Sequence, residues 1–190
     1  MNMLNATQTR LLTIFCLITA VSIAASIGNV SLAQDSDQLE PITISDVDAS
    51  GDAVFFSFHQ NRVVTVAEAD AGLWDIRFEG TSIYVNGEAQ LLERPFDFIA
   101  RAPESGYRED DETAGPAIPT ATGEGWFDYD PTTHIVSTIP DKTILVHTVN
   151  DTYAKMEVLS YYSDQDESNG VPRHYTFRYV YRNDGSRELR

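Results

Sequence analysis

The sequence predicts an all-β fold, a single domain of antiparallel hairpins and meanders. Three observations carry that prediction. Near the C-terminus Tyr175, Phe177, Tyr179 and Tyr181 share one parity, with Thr176, Arg178 and Val180 on the other, which is the period of a half-buried strand. Short apolar runs elsewhere are separated by turn pairs such as Gln60-Asn61, Asn86-Gly87 and Asn150-Asp151. No stretch carries the 3.6-residue periodicity of an amphipathic helix. A sheet with one aromatic face must be covered by a second layer, so the rest of the chain is expected to supply it.

From the N-terminus, residues 1–33 read as a secretory signal peptide. Arg10 precedes a long apolar run over 11–27, and Ser31, Leu32 and Ala33 make a small-x-small cleavage pattern. A membrane anchor is the competing reading of that run. The only cysteine, Cys16, lies inside the run rather than after it, so lipidation is not expected. A cleaved chain then has no disulfide and no thiolate metal site, and its core alone must stabilise it. Residues 34–52 read as a flexible acidic leader with an edge strand near 42–44. The β domain is expected over 53–190. The expected location is secreted or periplasmic, with no integral membrane segment after cleavage. The net charge of −16 repels nucleic acid and anionic lipid and suits solubility outside the cell.

Each element then follows in order. Residues 53–58 and 62–66 make a first hairpin around Gln60-Asn61. Trp74, Ile76 and Phe78 alternate with Asp75 and Arg77, which predicts a strand with Trp74 in the core. Residues 82–85 return. Leu91, Leu92, Phe96, Phe98 and Ile99 suggest a short helix or irregular core segment. A long irregular loop follows, from about 100 to 125, with Pro103, Pro116 and Pro119. Its acidic run, Glu109 to Glu112, offers oxygen donors but lacks the ligand spacing of a calcium loop, so it reads as a solvated face. Order resumes at Trp126. A turn at Asp130-Pro131 carries His134, and strands are expected over 135–139, 143–149, 153–162 and the aromatic run.

No catalytic constellation is present. The sequence has no Gly-x-Ser-x-Gly elbow, no phosphate-cradling glycine loop and no His-Glu-x-x-His. The chain is therefore not expected to be an enzyme. Of the four histidines, His59 sits at a turn, His147 lies mid-strand, and His174 opens a strand. His134 differs. It is loop-borne, close in sequence to Trp126, Phe127 and Tyr129, and an imidazole in such a setting suits an axial haem ligand.

Several segments together resemble one family. Phe55, Phe56 and Phe58 with the run at 62–66, Trp74-Asp75 in its strand, Gly125-Trp126, the run at 153–162 and the aromatic run at 175–181 are similar to the HmuY family of bacterial haem-binding proteins. The resemblance spans about 54–181. It implies an all-β, haemophore-like fold, capture of haem, and hand-over to an outer-membrane TonB-dependent receptor. It also implies two axial ligands, His or Met. His134 lies a few residues beyond the position matching one of them. The stretch matching the other, 98–125, has neither His nor Met, and Tyr107 is its one residue type that ligates haem elsewhere. His134 is thus expected on the iron, with Tyr107 or His147 as second ligand and Lys155, Arg101 and Arg108 as propionate partners. The alternative is an HmuY-type scaffold that has lost haem and binds another ligand or a protein.

Overall fold

The computed structural model describes residues 39–190, so the expected signal peptide lies outside the described residues. Within the expected leader, β1 (Ile42–Asp48) is an edge strand. It extends four residues beyond the expected 42–44, with a register shift between Ile44 and Val47. The first hairpin is β2 (Val54–Ser57) and β3 (Arg62–Val63). A one-turn helix, α1 (Val66–Asp70), follows and was not expected. Its start is a capping box: Thr65 Oγ1 accepts from Glu68 N at 3.3 Å, and Glu68 Oε2 accepts from Thr65 N at 2.8 Å.

β4 (Ile76–Glu79) and β5 (Ser82–Val85) pair and complete a four-stranded sheet of order β3-β2-β4-β5. Trp74 precedes β4 and is half-buried, not core, while Asp75 is buried. The strand begins at Ile76, two residues after Trp74, so the period-2 pattern does not reach the tryptophan. Of the residues expected in a short helix or irregular core segment, Leu91 and Leu92 lie on β6 (Gly87–Glu93), and a 3₁₀ turn over Phe96–Phe98 follows, with Phe96 and Ile99 buried and Phe98 exposed. The Asn86-Gly87 pair is the point where the chain crosses from one sheet to the other. Gly87 has φ of +125°, and an added Cβ would stand 2.5 Å from the His147 carbonyl oxygen.

The long loop contains β7 (Arg108–Glu109), which pairs with β6. β8 (Phe127–Asp130) and β9 (Ile135–Thr138) form a separate hairpin. β10 (Lys142–Thr148), β11 (Tyr153–Tyr162) and β12 (Pro172–Arg182) close the chain. The large sheet runs β1-β12-β11-β10-β6-β7. The expected all-β fold of antiparallel hairpins and meanders is the one observed.

The core lies between the two sheets. Tyr175, Phe177 and Tyr179 on β12 are fully buried against Phe56 and Phe78 of the small sheet. Phe56 meets Phe177 edge-on at 5.2 Å and Phe78 meets Tyr175 at 4.3 Å between centroids. Burial of each such ring contributes roughly 1.5–3 kcal/mol. The tyrosine hydroxyls leave this core to fasten loops: Tyr175 Oη donates to the Gly80 carbonyl and Tyr179 Oη to Asn61 Oδ1, both at 2.7 Å. A smaller cluster of Phe96, Ile99, Ala102, Leu145, Val180 and Leu189 covers the other face of the large sheet. Both faces of β10 and β12 are therefore buried. At the sheet's edge Leu39 N donates to the Arg190 carbonyl at 2.8 Å. Among the described residues no helix is long and apolar enough to cross a membrane.

Candidate functional site

His134 ends the four-residue turn of the β8–β9 hairpin. Asp130 builds that turn, accepting from Thr132 N at 2.7 Å and Thr133 Oγ1 at 3.0 Å, and these bonds hold its carboxyl below the usual range. The His134 amide returns to the Asp130 carbonyl at 2.8 Å. The residue has φ of +59°, in the left-handed region that a non-glycine residue rarely adopts. The strained turn lifts the imidazole clear of the hairpin and leaves it exposed.

The ring is nonetheless held. Tyr129 Oη lies 2.6 Å from His134 Nδ1. In the tautomer protonated at Nδ1, the ring donates to Tyr129 and presents the Nε2 lone pair outward. Nε2 has no partner among the described residues.

His134 borders a cleft of about 490 Å³ between the β8–β9 hairpin and the β11–β12 connection. Tyr161 and Tyr162 form its buried wall. They are consecutive yet both buried because β11 bulges around Ser160. Tyr162 Oη accepts from Val136 N at 2.9 Å and so ties β9 to the large sheet. Burial pushes the Tyr161 hydroxyl pKa up, against the opposing pull of Arg173. Arg173, at φ of +67°, is exposed on the same cleft. Sequence reading missed Tyr161 and Arg173. The pairing of Tyr161 with a β-bulge and of Arg173 with a left-handed backbone has no local sequence signal.

Tyr107 and His147 are brought together in a different place. Their rings stand 5.9 Å apart, and His147 stacks on Tyr153 at 4.5 Å with planes 5° apart. His147 Nδ1 faces Glu88 Oε2 at 3.3 Å and Nε2 faces Asp151 Oδ1 at 2.9 Å, so both ring nitrogens are occupied. The Tyr107 hydroxyl is buried without a hydrogen-bond partner, and burial raises its pKa far above the ordinary phenol value. Neither residue lines the His134 cleft.

The expected propionate partners are largely committed. Lys155 is buried, and its Nζ donates to the carbonyls of Phe96 at 3.1 Å and Ile99 at 2.8 Å. Desolvation lowers its pKa. Arg101 pairs with Glu188 at 2.5 Å, while Arg108 is exposed on β7. In the acidic run Asp110 turns inward and accepts from Val85 N and Ala117 N, both at 2.7 Å. Among the described residues no three His, Cys, Asp or Glu side chains gather to hold a metal ion.

Two layers of antiparallel strands enclose an aromatic interior, and a loop-borne imidazole borders a cleft at the rim. No protein-family model matches the sequence, and no curated protein does. Solved structures do resemble it. The apo HmuY analog TFO of Tannerella forsythia is 13% identical, with 76% of this chain and 95% of that chain covered at a TM-score of 0.53. Apo PinO from Porphyromonas gingivitis is 14% identical, covering 76% and 97%, at 0.52. A Bacteroides vulgatus structure described as HmuY-like and heme binding is 23% identical, covering 73% and 89%, at 0.47. The chain has an HmuY-type fold.

Proposed function

We propose that this protein is a haemophore-like haem-binding protein with His134 as an iron ligand, secreted or periplasmic, that hands haem to an outer-membrane TonB-dependent receptor. The observation that carries the reading is the His134 imidazole. Its Nδ1 is fixed by Tyr129, and its Nε2 is without a partner at the edge of a tyrosine-walled cleft. A porphyrin brings its own four nitrogen donors, so a single imidazole from the chain is enough to begin ligation. Tyr161 and Tyr162, set edge to face at 88°, give the cleft an apolar floor, and the Arg173 guanidinium suits a propionate. Haem bound here would supply an iron centre whose ligation the chain controls through His134.

Titration of the purified protein with haemin tests this. A shifted Soret band in the wild type, lost in His134→Ala, is expected. No Soret shift, or one that survives in His134→Ala, overturns it.

A second reading keeps the scaffold without haem, for another ligand or a protein partner. It is favoured by the separation of the sequence-derived ligand set: Tyr107 and His147 lie outside the His134 cleft, and His147 has both nitrogens engaged. A flat titration that coexists with a folded wild type selects this reading.

A further inference from the structure

The outer face of the small sheet carries a second cleft, of about 480 Å³, that the haem reading does not use. Strand register sets Phe55, Arg77 and Tyr84 in one row across β2, β4 and β5. All three are half-buried, because their neighbours in sequence face the core. The Arg77 guanidinium lies 4.0 Å over the centre of the Tyr84 ring, and Trp74 stands edge-on to Phe55 at 5.1 Å. The opposite wall is the acidic turn, which Asp110 pins to β5 through the Val85 amide.

Two groups in this cleft lack partners. Arg77 Nε is buried with no hydrogen bond, and among the described residues the side chain's only ion pair is with exposed Glu79 at 3.4 Å. The Glu112 carboxylate has no partner among the described residues. The Arg77 side chain as a whole is 30% exposed, so a ligand in the cleft meets the guanidinium outside its buried Nε.

The mixture of groups selects the ligand. An anion would meet the acidic wall, and a cation would meet Arg77. An apolar ligand would strip water from the charged guanidinium and from Glu112 without replacing their hydrogen bonds. A hydroxyl group accepts from the guanidinium and donates to a carboxylate at once. The C–H face of a pyranose ring packs on an aromatic ring, which Trp74 and Tyr84 provide. We infer that this cleft binds a neutral saccharide, with Trp74 and Tyr84 as stacking surfaces and Arg77 and Glu112 as the hydrogen-bonding pair.

The chain reports on its own occupancy. It has two tryptophans, and Trp126 is buried with its indole N–H bonded to the Thr81 carbonyl at 2.9 Å. Acrylamide therefore quenches mainly Trp74. The full chain is titrated with maltotetraose, chitotetraose and mannotetraose while quenching is followed. At least one is expected to protect Trp74. Arg77→Met, Tyr84→Ala and the exposed Glu112→Gln are each expected to weaken that protection about tenfold, the loss of one good contact. Near-UV circular dichroism confirms that the variants are folded, and His134→Ala is expected to protect as the wild type does. The inference is overturned if none of the three sugars protects. It is also overturned if protection survives in Glu112→Gln together with either other variant, or if tetramethylammonium or acetate protects in place of the sugars.

Discussion

Tyr129 Oη and His134 Nδ1 stand 2.6 Å apart across a single hairpin turn, and this contact aims the imidazole. Partners of this kind, one bond behind a metal-ligating histidine, typically change affinity 10- to 100-fold when removed. Tyr129→Phe is therefore expected to weaken haemin binding at least about tenfold while leaving thermal stability nearly unchanged, since Tyr129 is exposed. Haemin titration beside a melting curve checks this. Unaltered affinity would mean that the turn alone fixes the ring.

Tyr107 offers the opposite kind of test. Its hydroxyl is buried and makes no hydrogen bond. Tyr107→Phe removes an unsatisfied polar group and keeps the ring, so stability is expected to rise by about 1 kcal/mol. Haemin affinity should stay the same. Urea denaturation and the Soret titration read the two effects separately, and a collapse of haemin binding would show that Tyr107 ligates after all.

Asp75 gives a pH signature. Burial raises its carboxyl pKa, and the bonds from the Phe58 amide and the Ser57 hydroxyl offset this only in part. The folded chain thus keeps this proton to higher pH than the unfolded chain does. The stability this contributes is full below the ordinary value of 3.8 and is lost as pH rises through the raised folded value. Asp75→Asn has no such dependence. The wild type should lose stability relative to the variant between about pH 3.5 and about pH 7. Urea midpoints at both pH values decide it; an equal gap at the two would contradict the assignment.

Gly87 marks the crossing between sheets. Its positive φ and the nearby His147 carbonyl leave no room for a Cβ. Gly87→Ala is expected to cost roughly 1–3 kcal/mol, the scale of one strained backbone position. A melting temperature within error of the wild type would show that the crossing relaxes easily.

Much of the fold was legible, and the reasons for the gaps are physical. β11 and β12 announced themselves because Tyr175, Phe177 and Tyr179 face one layer while Arg178 faces another. β6 did not, because Ala89 and Leu91 pack on one side of the sheet and Leu92 on the other. Burial on both faces erases period-2 alternation. The helix at Val66–Asp70 is only five residues long, too short for periodicity, although its Thr65 and Glu68 capping pair was readable. Trp74 was misplaced because one polar residue, Asp75, took the buried position through bonds to Ser57 and Phe58.

The site was less legible. His134 stood out as a histidine carried on a turn. The other residues lining its cleft did not: Tyr161 and Arg173 arrive from the β11–β12 region, 27 and 39 residues further along the chain. Tyr107 and His147 meet across 40 residues of sequence, through the pairing of β6 with β7 and β10. Such meetings are products of topology rather than of local pattern.

The bond from Leu39 to Arg190 brings residue 39 and residue 190 side by side. The segment can therefore be sewn into a ring by a short glycine-rich splice and reopened in the exposed turn between Glu112 and Thr113. A circular permutant made this way would order its sheets from new ends, and it would retain the wild-type circular dichroism spectrum. It would also place an attachment point for labels or surfaces beside the acidic turn, on the opposite side of the large sheet's β10 from its β1 edge.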